Sequence, residues 1–324
     1  MPTAITLTDN EFFSGLSNLA LFMRIYATNA SKKADDFVES FMTDILERGN
    51  QKIYPYADLP SVGNYSETSS LLTVTKPTVG EETIAITEKK VIKSSYSAAI
   101  LDAAFTSEEG MNDFIGYLLG QMESAKTAYL YDVIRDDIFS KSFGNGSGAG
   151  AKQLHEVNQI DLTGLTSIAD LNAAKSYNAK ELATQIQDDI DNIQVYNTAY
   201  NFKGLKEAVD WKELRIVLVA KYRYAEVMEV MASLLRSNVI DEEFNKPELL
   251  VVPSIKVPEN RTQEIAWIMH KAFYQMFYKF VVNTSFFDAS NLVVNNFLHF
   301  WYGKGFVEAL PCVKLIKKDL ALSE

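Results

Sequence analysis

The sequence predicts an α+β fold, and three observations carry that expectation. Met111 to Ser140 holds one unbroken apolar stripe at helical spacing, about 45 Å long by rise per residue. Glu82 to Lys93 follows the two-residue period of a strand. Leu214 to Val219 and Leu249 to Val252 are short apolar strands on either side of a helical stretch, which makes a β–α–β unit.

Taken in order, Asn10 to Asn50 reads as two helices. Phe12, Phe13, Leu16, Leu19, Phe22, Met23 and Tyr26 share one face of the first. Phe37, Val38, Phe41, Met42, Ile45 and Leu46 share one face of the second, with the polar stretch Thr28 to Lys33 between them and Gly49 with Asn50 as a stop. From Gln51 the character changes, because Pro55, Pro60, Gly63 and Asn64 prevent helix. Two β-rich runs, Ser70 to Lys76 and Glu82 to Lys93, flank Pro77 to Gly80 and predict a long hairpin. In its second arm Thr83, Ala85 and Thr87 alternate with Ile84, Ile86 and Glu88, so the ribbon is half apolar and needs another surface to lie on.

Ser107 can cap the long helix, with Glu108 and Glu109 in its first turn, where acidic side chains meet the positive end of the helix dipole. The stripe then runs through Met111, Phe114, Ile115, Leu118, Leu119, Met122, Ala125, Tyr129, Val133 and Ile134. Gly144, Gly146, Gly148 and Gly150 form a linker whose spacing fits neither GxGxxG nor a GK[ST] phosphate loop. Asn178 to Asn197 predicts a further helix through Leu182, Ile186, Ile190 and Ile193, with Asp188, Asp189 and Asp191 on the opposite side.

The helix of the β–α–β unit runs from about Lys221 to Arg236, with Ala225, Met228, Met231 and Leu235 inward. Ile265 to Phe280 is ambiguous by periodicity, since it fits a helix while its aromatic content favours a strand. The end of the chain is β-rich: Leu292 to Phe300, a turn at Gly303 and Gly305, then Val307 to Ile316 with Pro311 marking an edge or a bulge.

Composition narrows the chemistry. Lys plus Arg number 31 against 42 Asp plus Glu, a net charge of −11 that opposes tight binding to a phosphate backbone. The longest apolar runs, such as Ile216 to Ala220, are far short of the roughly 20 residues that span a bilayer. Met1 to Asn10 has no signal-peptide pattern, so the expected place of assembly is the cytoplasm. The single Cys312 is read as a packed thiol, and His155, His270 and His299 are scattered, too few for a metal site.

Asp35-Asp36, Asp136-Asp137 and Asp188-Asp189 are read as solvated helix faces, because adjacent helical residues point about 100° apart. No GxSxG occurs, and the turn Ala220-Lys221-Tyr222 after the first strand of the β–α–β unit lacks the glycine a phosphate needs. Phe297, Phe300, Trp301, Tyr302 and Phe306 are read as core and interface residues. The expectation is therefore no catalytic, cofactor or metal residue. No nucleic-acid-binding residue is nominated.

The order of elements (helical arm, β ribbon, long helix, glycine-rich loop, α/β lobe, terminal β return) resembles the Hong Kong 97-type major capsid proteins of tailed phages. The closest wording lies in Leu214 to Met228 (LRIVLVAKYRYAEVM) and His299 to Leu315 (HFWYGKGFVEALPCVKL). The resemblance implies an N-terminal arm at 1–50, an extended β-hairpin loop at 51–97, a peripheral domain with the spine helix at 98–166 and 284–324, and an axial domain at 167–283. It also implies that Ile265 to Phe280 is strand.

The function it implies is a shell subunit that pairs with itself as hexamers and pentamers of an icosahedral head. The partners it implies are a portal and weakly held packaged DNA, with no membrane. Because the ribbon begins near Gln51, with too little chain before it for the helical scaffolding segment some members carry, a separate scaffolding protein, or none, is expected. Lys314, Lys317 and Lys318 could offer phosphate contacts, although a solvated edge explains them more simply. Two rivals stay open: an encapsulin-like nanocompartment shell with the same fold, and an α/β enzyme whose site is built from dispersed residues.

Overall fold

The computed structural model describes residues 34–60, 62, 76, 78–97, 108–143, 152–163, 165–223, 247–291 and 293–320. Outside them lie the expected first N-terminal helix, the Ser70 to Lys76 arm, the glycine linker and all but the first residues of the Lys221 to Arg236 helix. The chain divides into two compact units: Met1–Lys52, Ile84–Ile138 and Gln275–Gly305 form one, and Ile53–Thr83, Phe139–Tyr274 and Phe306–Glu324 form the other.

The first unit opens with helix α1 (34–41), which buries Phe37, Val38 and Phe41, the aromatic Phe37 lying 4.7 Å from the Tyr131 ring. The helix stops at Phe41, short of the expected Leu46. Met42–Thr43 instead forms strand β1, parallel to Met276–Phe277, and the Thr43 hydroxyl donates to the Met276 carbonyl at 3.3 Å. A tertiary backbone partner here outweighs the local helical pattern, and Ile45 is left exposed. Gly49, at φ +76°, turns the chain into β2 (Gln51–Ala57).

Strand β2 lies beside β3 (Val79–Ser97), so residues 51–57, expected as the irregular base of the hairpin, are strand. Pro55 is tolerated there because β2 is the outermost strand of its sheet, where a missing N–H costs no ladder bond. The sheet order is β1-β8-β9-β3-β2, with β8 spanning Tyr274–Asp288 and β9 Val293–Phe306. Helix α2 (Glu108–Ser140), about 50 Å long, is the long helix expected from Met111 to Ser140. Its Tyr129 packs on Phe300 and Tyr302 at 6.1 and 6.5 Å, and its hydroxyl lies 3.1 Å from that of Tyr302.

Gly303 and Gly305 are not a turn. Both lie inside β9, and the turn falls at Val307–Leu310, closed by the Leu310 N–H donating to the Val307 carbonyl. A Cβ at Gly303 would sit 2.7 Å from the Phe277 ring and 2.9 Å from the Ala85 carbonyl, and one at Gly305 would crowd Ile84. These glycines permit close approach of neighbouring strands, the other common reason for glycine in a sheet.

The second unit is built on a mixed sheet ordered β4-β10-β7-β5-β6. Its strands are β4 (Leu154–Ile160), β10 (Cys312–Leu320), β7 (Glu264–His270), β5 (Leu214–Val219) and β6 (Glu248–Val252). The expected parallel pairing of β5 with β6 is present, Arg215 facing Glu248 through Val219 facing Val252. Ile265 to Phe280 is strand as expected, but in two pieces: β7 stays in this sheet, and β8 joins the other after a turn at Lys271-Ala272-Phe273.

Helix α3 (Ile168–Ile193) packs on β4 and buries Leu182, Ile186, Ile190 and Ile193. It starts before the expected Asn178, where the small Ala174 is the buried side chain of the added turns. Asn178 is itself buried and clamps the end of β4, accepting from the Ile160 N–H at 2.6 Å and donating to its carbonyl at 2.9 Å.

Beyond α3, the half-buried Glu207 finds no hydrogen-bond donor for Oε2 among the described residues, and burial pushes its carboxyl up to about 7. A carboxylic acid raised in the folded state stabilises fully below its unfolded pKa and loses that contribution as pH rises toward 7. Glu207→Gln is therefore expected to raise the melting temperature at pH 8 and leave it unchanged at pH 4.5, read by thermal denaturation at both.

Candidate functional site

No group of three or more His, Cys, Asp or Glu side chains among the described residues could hold a metal ion. The β2–β3 ribbon is framed by two backbone hydrogen bonds of 2.9 Å, Ile86 N–H to the Asn50 carbonyl and Asp58 N–H to the Thr78 carbonyl. Accessibility alternates along both strands: Ile53 within β2 and Val79 at the start of β3 are exposed, the latter at 69%, as are Leu59 and Val62 in the chain just beyond β2, Val62 at 99%. The Tyr56 ring covers Gly80 so closely that a Cβ would fall 2.4 Å from it.

The ribbon is tied down at Glu82. Lys203 Nζ bridges Glu82 at 3.2 Å and Glu308 at 3.1 Å, while Lys141 Nζ reaches Glu308 at 2.6 Å. Lys141 also lies over the Phe202 and Phe306 rings, at 4.6 and 4.8 Å. The Lys141 ammonium, then that of Lys203, holds the Glu308 carboxyl below the usual carboxylate range. Partly exposed pairs of this kind add little stability individually, but an alternating chain of charges fixes geometry.

One face of the β9–β3 pair carries alternating cations and rings. Lys89 lies over Trp301 at 4.5 Å and Lys93 over Phe297 at 5.4 Å, each across the strand from its partner, and Phe280 meets Trp301 at 5.3 Å. The other face, with Phe300 and Tyr302, is buried. The reading of these aromatics as core and interface residues thus divides by strand parity.

Several acidic and basic residues lie elsewhere than expected. Asp189 is buried, not solvated: its Oδ1 lies 2.7 Å from His155 Nδ1, a pair that links α3 to β4. Burial raises the Asp189 carboxyl against the pull of His155. Asp188 is exposed as expected, Asp136 pairs with Arg135 at 2.7 Å, and Asp137 meets Lys304 at 2.8 Å.

Lys314 is a second correction. It is buried between β4 and β7 and contacts the equally buried Glu264, so it offers nothing to a phosphate. Burial pushes Glu264 up to about 7, opposed by Lys314 and Arg261. Lys318 remains exposed beside Glu156, and Lys317 contacts Asp319. Cys312 is fully buried, as expected of a packed thiol, and burial raises it far above the ordinary thiol range. His270 Nδ1 accepts from the Ala272 N–H at 2.9 Å in the β7–β8 turn, and His299 stacks beside Phe297.

Residues 7–316 match the family model of the Phi29-like phage major capsid protein. The chain belongs to that family. This capsid protein shares its fold with solved phage capsids. One is that of Staphylococcus phage Andhra, with TM-score 0.61 and 9% identity over 85% of this chain and 83% of that one. Another is that of cyanophage P-SCSP1u, with TM-score 0.55 and 12% identity over 87% and 88%. A third is the mature capsid of bacteriophage PhiM1, with TM-score 0.52 and 9% identity over 86% of each.

No curated protein matches the chain by sequence. The Hong Kong 97-type fold expected from the order of elements is the fold found, and the protein is a capsid shell subunit. The family match favours a phage capsid over both the nanocompartment shell and the dispersed-site enzyme.

Proposed function

We propose that this capsid protein forms hexamers and pentamers that close into the icosahedral head of a tailed phage around double-stranded DNA. The observation that carries the reading is the ribbon, which displays Ile53 and Val79 to solvent in the single chain, with Leu59 and Val62 exposed in the chain just beyond β2. Apolar side chains presented this way on a two-stranded element mark a contact with another molecule. A neighbouring subunit under the ribbon covers them, and many such contacts in a closed shell multiply weak individual affinities.

In this assignment 1–50 is the arm, 51–97 the extended loop, 98–166 with 284–324 the peripheral domain, and 167–283 the axial domain. The further partners are a separate scaffolding protein, a portal and the packaged genome. The net charge of −11 suits a wall that holds DNA weakly enough to let it move. The protein's place is then the virion, after assembly in the host cytoplasm.

Electron microscopy of the purified chain, with mass from size-exclusion chromatography and light scattering, tests the reading. Rings or closed shells are expected. A stable monomer under every assembly condition would overturn it.

A further inference from the structure

Among the described residues, strand β8 begins inside its sheet and ends at an open edge. In the order β1-β8-β9-β3-β2, only β1 lies outside it, and β1 covers no more than Met276 and Phe277. One further bond, the Leu46 N–H to the Tyr278 carbonyl at 2.9 Å, extends that cover. From Lys279 to Asp288 no described strand runs along the outer side of β8.

An open edge is normally protected by charge, proline, a bulge or shortness. Phe280 through Phe287, reading FVVNTSFF, has no charged residue, no proline and no glycine. Four of its large side chains are exposed: Phe280 at 41%, Val281 at 37%, Phe286 at 65% and Phe287 at 50%. Left bare, such an edge would template aggregation, so in the working molecule it needs an occupant.

We propose that this edge is a strand-addition site for a second copy of the chain, two β8 strands pairing antiparallel about a twofold axis through Asn283. The proposal rests on the shell reading, which brings many copies to close quarters. The occupant follows from the self-complementarity of the segment. The Tyr278 carbonyl points outward to Leu46, so by the two-residue period Phe280, Val282, Thr284 and Phe286 also aim their N–H and C=O groups outward.

A twofold axis through Asn283 sets Phe280 opposite Phe286 of the second copy and Val282 opposite its Thr284. Each pair occurs twice, as an isologous contact requires. All four residues are then in hydrogen-bonded positions, and the side-chain pairs are aromatic with aromatic and β-branched with β-branched, the favourable cross-strand classes. Moving the axis to Thr284 would place Phe280 against Asp288, a ring against a carboxylate. Duplex DNA offers no row of amides at strand spacing, so a polypeptide fits this edge and DNA does not.

Asn283 would face its own copy in a non-hydrogen-bonded pair, with Cα atoms about 4.5 Å apart. Asn283→Cys therefore tests the register directly, since the one natural cysteine, Cys312, is fully buried. On assembled particles treated with copper–phenanthroline, most of the N283C chain is expected to run as a covalent dimer on a non-reducing gel. Thr284→Cys and Ser285→Cys should cross-link several-fold less.

In the wild-type protein, hydrogen exchange at Phe280, Val282, Thr284 and Phe286 should slow at least tenfold on assembly. Particles that are intact by electron microscopy but hold only monomeric N283C would overturn the pairing and leave the shell reading standing. So would stronger cross-linking at T284C. Protected amides without an N283C dimer would assign the edge to another segment and overturn the twofold pairing.

Discussion

Glu264→Leu is expected to cost about 3–5 kcal/mol of folding stability near pH 8, because it leaves the Lys314 ammonium buried without its counter-charge. Both side chains are almost fully buried, Glu264 at 3% and Lys314 at 4% exposure, on the adjacent strands β7 and β10. The rings of Phe143 and Trp267, 5.4 and 6.0 Å from Lys314 Nζ, soften the loss without replacing a carboxylate. The Lys314→Met, Glu264→Leu double variant removes both charges and is expected to recover most of the stability, since an apolar pair of similar volume carries no desolvation cost. Urea midpoints of the three proteins at one pH decide it. If the single and double variants lose the same amount, the effect is packing and the charge argument fails. Measurement near pH 8 matters because burial holds the Glu264 carboxyl up at about 7, so its carboxylate form dominates only above that.

Trp267→Ala is expected to destabilise the protein by a comparable amount, about 3–5 kcal/mol. Trp267 is the largest fully buried side chain on β7, the middle strand of its sheet, and Phe139 meets it edge-on at 4.4 Å. Removing it leaves a cavity walled by a mixed sheet hydrogen-bonded on both sides, which has little freedom to collapse. Trp267→Phe should lose much less, because most of the ring volume remains. Equal losses for the two would show that the site tolerates the cavity. If Trp267→Ala also abolishes shell formation at temperatures where the monomer is folded, the second unit transmits its packing to the assembly contacts.

The candidate surfaces were less legible than the fold. Leu214 to Val219 and Leu249 to Val252 were readable as paired parallel strands because their apolar character is continuous and the stretch between them fits one helix. The exposed Ile53 and Val79 gave no signal, since apolar residues in a strand normally mean core. Asp189 gave a misleading one. A run of three acids in four positions reads as solvent-facing, yet the turn of the helix points the middle one at His155. Gly303 and Gly305 misled for a related reason: in sequence, a glycine that closes a turn and a glycine that makes room for Phe277 are identical.

By itself, the sequence determined what depends on a few neighbouring positions: the α+β class, the spine of Glu108–Ser140, the buried stripe of Leu182, Ile186, Ile190 and Ile193, and the parallel β5–β6 pair. Periodicity is a local property, and these elements obey it. Only the tertiary structure decided that α1 yields to β1 at Met42, that β2 lies beside β3, that Lys314 is buried on Glu264, and that among the described residues no strand lies outside the end of β8. Each of these turns on a partner far along the chain. The free energy of a backbone bond or a buried charge is set by that partner, not by the residues next door.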